Sequence, residues 1–416
     1  MPILAPRPLL AALALCVALC ALGGCGKTGP QQTGVAGRAG SPSELAPVAA
    51  QGAVSVATRN TTRLGGADVA SDAAAVARAV YPGLTAASRP AAAVLLDEHD
   101  WPAALAASVL AGAPTGAPIL YSEGETLPAV SRETLEAMHP SGVAGLAGAQ
   151  VIEIGTSATP PGYRTHTVPV GTPADTAAAI ERLALTLDGG HAPAAAIVLG
   201  ENARPALAMP AAGLAAQSGA PILFVSRAGV PAATAAALAG MHGPSIYVID
   251  AAAVGHRALA ELRRLGHVAV IPSGSTPAGS SVSRAAVQNA IEVARFTDGT
   301  FGWGVKEPGH GLVFANLGRP LDAPAAALLS ATGEFAPLLL LASATEVPPA
   351  LARYLSDIQP GYSNPQFPAV RGAYNHGWLI GGERAISTVS QVEIDSMLEI
   401  APRAQTTEEP LAAQAE

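Results

Sequence analysis

Asp97-Glu98-His99-Asp100 places four ionisable side chains in consecutive positions. Groups of this kind ligate metals or move protons when several of them converge on one point. Neighbouring residues in a turn diverge instead, and no His-x-x-x-His or Glu-x-x-His pair stands nearby to complete a ligand set. The run follows an apolar segment, so the expectation is a solvated turn that starts the next helix. His139 and His242 fall where two helical patterns end, a place the helix dipole favours for histidine, and read as caps. The serine-rich stretch Ser273 to Ser281 lacks the Gly-x-Ser-x-Gly of a nucleophile elbow and reads as a loop ending in a helix N-cap, whose free N–H groups could meet a phosphate or a sugar. Gly299, Gly302 and Gly304 precede a strand rather than follow one, so they form no dinucleotide fingerprint. Gly26-Lys27-Thr28 imitates the end of a P-loop, but Ala21 stands where that loop needs glycine. No catalytic residue, no metal and no cofactor is expected.

The residue with the clearest chemistry is Cys25. Arg7 precedes an apolar stretch from Leu9 to Leu22, too short for a comfortable permanent span and suited to a secretory signal. It ends in Leu22-Gly23-Gly24-Cys25, which resembles the lipobox of bacterial lipoproteins. That resemblance implies cleavage before Cys25 and a diacylglyceryl group on its sulfur. Two or more acyl chains anchor stably, because each buried methylene contributes roughly 0.8 kcal/mol. Cys16 and Cys20 would leave with the signal, so no disulfide framework is expected.

The 416 residues suffice for two or three domains, each with its own core. Half are apolar, 4% aromatic and 13% charged, a globular composition rich in alanine. A net charge of -8, with Lys27 and Lys306 the only lysines, opposes binding to nucleic acid. Residues 26–60, rich in Gly, Ala, Ser, Pro and Gln, read as a flexible linker, and 403–416 as a disordered tail.

The elements that must position any site repeat three times. Gly116-Ala117-Pro118-Ile119-Leu120-Tyr121-Ser122 recurs from Gly219 to Ser226 and, more loosely, from Phe335 to Ser343. A helix opening at Leu127-Pro128, Val230-Pro231 or Val347-Pro348 follows each copy. Upstream lie the unalternating apolar runs 91–96, 194–199 and 311–317, the pattern of strands buried on both faces. Each of these leads into an Ala- and Leu-rich helix near Pro102, Pro205 or Pro320, proline being tolerated in a first helical turn. Third strands are expected at 150–155, 245–250 and 377–382, and helices at 254–265, 282–295 and 386–398. Strands alternating with helices predict parallel sheets with right-handed crossovers: three Rossmann-like or flavodoxin-like units, at 61–160, 161–266 and 267–402.

These residues resemble the cell wall-binding repeat 2 family. Arg63-Leu64-Gly65-Gly66-Ala67-Asp68 is similar to its opening element, Ala104-Leu105-Ala106-Ala107 to its helix, the two Gly-Ala-Pro-Ile-Leu stretches to its strand, and Ile380-Gly381-Gly382 to its close. The pattern departs at Val69-Ala70-Ser71-Asp72, and the helix-starting aspartate is replaced by Ala103 and Ala206 but kept as Asp322. The resemblance implies α/β repeats packed about a pseudo-threefold axis that hold an anionic cell-wall polymer without covalent bonds. The expectation is a non-catalytic lipoprotein on the outer face of the cytoplasmic membrane, partnered by a wall polymer, with the polymer-binding residues unassigned. The alternative is a solute-binding lipoprotein of a transporter, and an envelope hydrolase comes third.

Overall fold

The computed structural model describes residues 54–273, 280–332, 336–362 and 374–402. Cys25, the signal, most of the linker and the tail lie outside the described residues.

The chain opens with β1 (Val54–Ala57), β2 (Thr61–Gly65) and α1 (Val69–Val80). The first repeat continues as β3 (Ala93–Asp97), α2 (Trp101–Ala107), β4 (Ile119–Ser122), α3 (Ala129–Met138) and β5 (Val151–Ile154). The second runs β6 (Thr165–Val168), α4 (Pro173–Leu187), β7 (Ala195–Gly200), α5 (Pro205–Ala208), α6 (Ala211–Ser218), β8 (Ile222–Val225), α7 (Ala232–Gly240), β9 (Ser245–Val248), α8 (Ala251–Val254) and α9 (His256–Leu262). The third runs β10 (His267–Val270), α10 (Val282–Arg295), β11 (Gly311–Asn316), α11 (Asp322–Ala331), β12 (Leu338–Leu341), α12 (Pro349–Asp357), β13 (Gly361–Tyr362), β14 (His376–Ile380), α13 (Thr388–Leu398) and β15 (Ala401–Pro402).

The runs without alternation are strands buried on both faces. Ile119–Ser122, Ile222–Val225 and Leu338–Leu341 are buried at every position, as a sheet covered by helices on both sides requires. Pro128, Pro231 and Pro348 each hold the N-cap position of the helix that follows, where a missing N–H removes nothing from the helical ladder. The helix expected over 254–265 is instead two short pieces, because Gly255 takes φ +83 between α8 and α9.

Among the described residues three large sheets form, ordered β4-β3-β5-β6, β8-β7-β9-β10 and β12-β11-β14-β2-β1. Their pairings are parallel except β1 on β2, and β13 with β15 forms a separate two-stranded ladder. Each sheet has a fourth parallel strand beyond the three expected, and that strand is the opening strand of a different repeat. β6 opens the second repeat and pairs with β5 of the first; β10 opens the third and pairs with β9 of the second. β2 opens the first and pairs with β14 of the third, joining the two ends of the folded chain. The sequence copies at 61–160, 161–266 and 267–402 are thus one strand out of phase with the hydrogen-bonded sheets.

The units meet through equivalent helices, which gives the pseudo-threefold arrangement. α2 with its 3-10 extension (Ser108–Ala111), α6 and α11 each touch the other two. Ala104, Ala107, Ala212, Ala215, Ala326 and Ala327 are buried there, and such small side chains let helix backbones approach closely. A Cβ on Gly112 would stand 1.9 Å from the carbonyl oxygen of Ala216. Contacts between units lock the ring: the buried Tyr121 hydroxyl donates to the Leu321 carbonyl at 2.7 Å, Trp101 meets Phe224 edge to face at 6.5 Å, and the Asn289 amide donates to the Leu207 carbonyl at 2.8 Å.

Candidate functional site

The residues singled out for their chemistry do not come together. Asp97 closes β3 and accepts hydrogen bonds from both the backbone N–H and Nδ1 of His99 at 2.8 Å. Partial burial opposes ionisation of Asp97, but the hydrogen bonds from His99 outweigh it and its pKa falls. The same hydrogen bond raises the pKa of His99, which is exposed. Partial burial, with Glu123 adding like charge, raises that of Glu98. Asp100 turns away to cap α2, accepting from the N–H of Ala103 at 3.1 Å. Among the described residues no group of three or more His, Cys, Asp or Glu could hold a metal ion. His139 and His242 take left-handed φ of 48° and 58° at the ends of their helices. Ser281 is the N-cap of α10, its Oγ accepting from the N–H of Arg284 at 3.3 Å, whereas residues 274–279 of the serine-rich loop lie outside the described residues. Gly299, Gly302 and Gly304 have positive φ in the loop between α10 and β11.

The opening element is a buried joint. Arg63 donates through Nε and Nη2 to Oε1 of Gln391 at 3.0 and 2.9 Å, and through Nη1 to the Gly381 carbonyl at 2.9 Å. Asp68 caps α1, and Asp72 accepts from the N–H of Gly66 at 2.7 Å. Arg319 then bridges two carboxyls far apart in the sequence, pairing with Asp72 through Nη2 and with Asp322 through Nε at 2.8 Å. Both carboxyls are fully buried. Burial raises the pKa of Asp322 well above the ordinary range, with the charge of Asp72 adding to the rise and Arg319 opposing it. Asp72 stands where the family pattern departs, and it is the partner of the retained Asp322. The two carboxyls are sealed from solvent while Arg319 is partly exposed, and the cluster holds β2 and α1 onto the third sheet.

A site open to a ligand lies on the third repeat. α10 packs beside α12, and between them runs a groove with two adjoining hollows of about 540 and 420 Å³ that share Gln288, Ala350 and Arg353. Ala342 and Ser343, just past β12, floor one end, the strand edge where α/β proteins commonly place ligands. The N-termini of α10 and α12 open there, each carrying partial positive charge. Arg284 and Arg353 are exposed along the groove, and neither side chain has a hydrogen-bond or ion-pair partner among the described residues. Arg295 lies farther along, paired with Asp357 at 2.6 Å and 4.9 Å from the ring of Tyr354. Glu346 is an acidic residue at the rim.

The other repeats lack this arginine pair. Counting from the N-caps Asp68, Thr172 and Ser281, the position of Arg284 is Ser71 in the first repeat and Asp175 in the second. Counting from Pro128, Pro231 and Pro348, the position of Arg353 is Glu133 and Ala236. The arginines lie far apart in the sequence, and only the packing of α10 on α12 brings them to one groove.

No protein-family model matches the sequence, and no curated protein matches it. The fold is similar to solved structures of Cwp8 and Cwp6 from Clostridium difficile, each with a TM-score of 0.61 and 17% identity. The alignments cover 82% of this chain and 52% of Cwp8, and 84% of this chain and 51% of Cwp6. The chain thus spans about half the length of each, and at this identity the likeness is one of fold.

Proposed function

We propose that the protein is a non-catalytic envelope lipoprotein, anchored through Cys25, whose α10/α12 groove holds an anionic cell-wall polymer without covalent bonds. The observation that carries this reading is the pair Arg284 and Arg353, without hydrogen-bond or ion-pair partners among the described residues, beside two helix N-termini and present in one repeat of three. Unpaired guanidinium groups in that position suit phosphate or carboxylate groups on a chain, and charge-assisted hydrogen bonds to them are stronger than neutral ones. A local basic groove also accounts for how a chain of net charge -8 meets a polyanion. The likeness to Cwp8 and Cwp6 from Clostridium difficile supports the fold on which this reading builds. Lipidation at Cys25 would hold the chain on the outer face of the cytoplasmic membrane, with residues 26–53 as the spacer; the linker expected to run to residue 60 stops short because Val54–Ala57 joins the third sheet as β1.

The test is cosedimentation of the full chain carrying Cys25→Ser with cell walls of the source organism, before and after secondary polymers are stripped. Binding that disappears on stripping, weakens with salt, and falls at least about tenfold in the Arg284→Glu/Arg353→Glu variant is the expected result. Arg132→Glu, a charge reversal on the first repeat, serves as control. Equal binding by the groove variant, or no binding to either wall, overturns the reading. Palmitate labelling of the chain with and without Cys25 tests the anchor separately. One observation favours the alternative, solute capture for a transporter: a second pocket of about 540 Å³ lined by residues of all three repeats, most of them from the second.

A further inference from the structure

That second pocket has its own chemistry. It lies at the edge of the second sheet where β7, β8 and β9 begin, opposite the edge where strand-end ligand sites occur, and at the ends of the central helices. Its volume of about 540 Å³ falls in the range of small-molecule sites. α4 and α6 both end at its wall, at Asp188 and Gly219, so two helix C-termini with their partial negative charge face the space.

Glu181, on α4, lines the pocket and is 5% exposed. Its carboxyl has no hydrogen-bond or ion-pair partner among the described residues, and its oxygens are not among the fully enclosed ones, so they reach the pocket space. Asp188, seven residues further on at the C-cap of the same helix, also lines the pocket, about 10 Å along the helix axis from Glu181. No lysine or arginine is among the described residues that line the pocket, whose one basic side chain is His191, held by its Nδ1 against the Asp188 carbonyl. The remaining wall is mixed: Gln217 and Thr300 supply amide and hydroxyl groups, while Tyr247 and Phe301, stacked at 3.8 Å, supply an apolar face. Tyr247 is fixed from behind by donating to Asp298 at 2.5 Å.

We propose that this pocket binds a sugar bearing a free, protonated amine, the ammonium group pairing with Glu181 and the hydroxyls meeting Gln217 and Thr300. The negative helix ends and the buried carboxyl select the cation, and the polar wall beside an aromatic face selects a sugar over a simple alkylamine. Burial raises the pKa of Glu181, as expected for a carboxyl waiting for its counter-ion. The site stands apart from the α10/α12 groove and does not depend on what that groove binds.

Calorimetric titration of the full chain with the β-1,4-linked disaccharide of glucosamine tests this. Saturable binding with Kd below about 1 mM is expected, with no binding of the N-acetylated disaccharide and at least tenfold weaker binding of hexylamine. Glu181→Gln should weaken glucosamine disaccharide binding by at least tenfold without lowering the melting temperature, and the exposed Asp188→Asn by only about threefold. Arg284→Glu/Arg353→Glu should leave it unchanged, which separates this site from the polymer groove. Equal binding of the acetylated sugar, equal binding of hexylamine, unchanged binding in Glu181→Gln, or no binding of any of the three overturns the proposal.

Discussion

Replacing Arg319 by Met should destabilise the protein in a way that depends on pH with a known sign. The side chain is the bridge between Asp72 of α1 and Asp322 of α11, and both carboxyls are fully buried. Breaking a buried pair by removing one partner costs about 3–5 kcal/mol, because the other charge stays in a low-dielectric setting. In a chain of this size that corresponds to roughly 5–10 °C in Tm at pH 7. Arg319 at present pulls the pKa of Asp72 down against a larger rise from burial, and its loss moves Asp72 further up. The folded variant then binds a proton that the unfolded chain, with an ordinary aspartate, releases across this range. Stability of the variant relative to the parent should therefore rise as pH falls, by about 1.4 kcal/mol per pH unit and up to about 2.7 kcal/mol between pH 7 and 5. Urea unfolding at the two pH values, at fixed ionic strength, measures this. Adding Asp72→Asn to Arg319→Met should recover most of the loss at pH 7. A loss under about 1 kcal/mol, or one equal at both pH values, would refute the view of this cluster as a buried charge joint.

Other outcomes follow from single contacts. Tyr121→Phe leaves the Leu321 carbonyl without its donor inside the ring and should cost about 1–2 kcal/mol in urea unfolding. Gly112→Ala drives a methyl group into the Ala216 carbonyl, where backbone must shift, and should cost about 1–3 kcal/mol or more by the same assay. Asp298 has its pKa lowered by hydrogen bonds from Tyr247, Thr300 and Phe301, so its stabilisation is present above the ordinary aspartate range and is lost as pH falls through it. Asp298→Asn should accordingly lower Tm at pH 7, with the deficit narrowing progressively as pH falls below about 4, as thermal melts across that range would show.

Strands and helices with strong local signals were legible before the fold was known. The unalternating runs and the proline-led helices sit where the repeat pattern put them, and α10 spans the expected 282–295. β6 was not legible. Thr165–Val168 is polar and largely exposed because it is a sheet edge, so it carries no buried run to betray it. The phase of the sheets was also hidden, since a repeat in sequence specifies which elements recur but not which neighbour each opening strand joins. The groove was illegible for a related reason: Arg284 and Arg353 belong to helices on either side of β11 and β12, and neither stands in a local motif. Asp72 showed only as a departure from a family pattern, and its meaning appeared once Asp322 and Arg319 were seen beside it.

The ring closure makes a claim about topology that can be tested by moving one strand. β2 pairs in parallel with β14, whose register runs Gly377 to Thr61 through Ile380 to Leu64, and α13 packs against both strands. In the second unit the corresponding strand, β10, follows β9 through α8 and α9 as a normal crossover. Residues 54–66 taken from the N-terminal side and appended after residue 416 would therefore recreate in the third unit the connection that the second already has. The transposed chain should unfold in one cooperative transition within a few degrees of the parent, whereas a chain lacking 54–66 altogether should lose cooperativity. That deletion exposes the edge of β14 and strands Asp72 and Gln391 without Gly66 and Arg63. Two chains that melt alike, both broad and early, would mean that the strand works only through its covalent link to α1. Two that both melt like the parent would mean that the third sheet needs no closing strand at all.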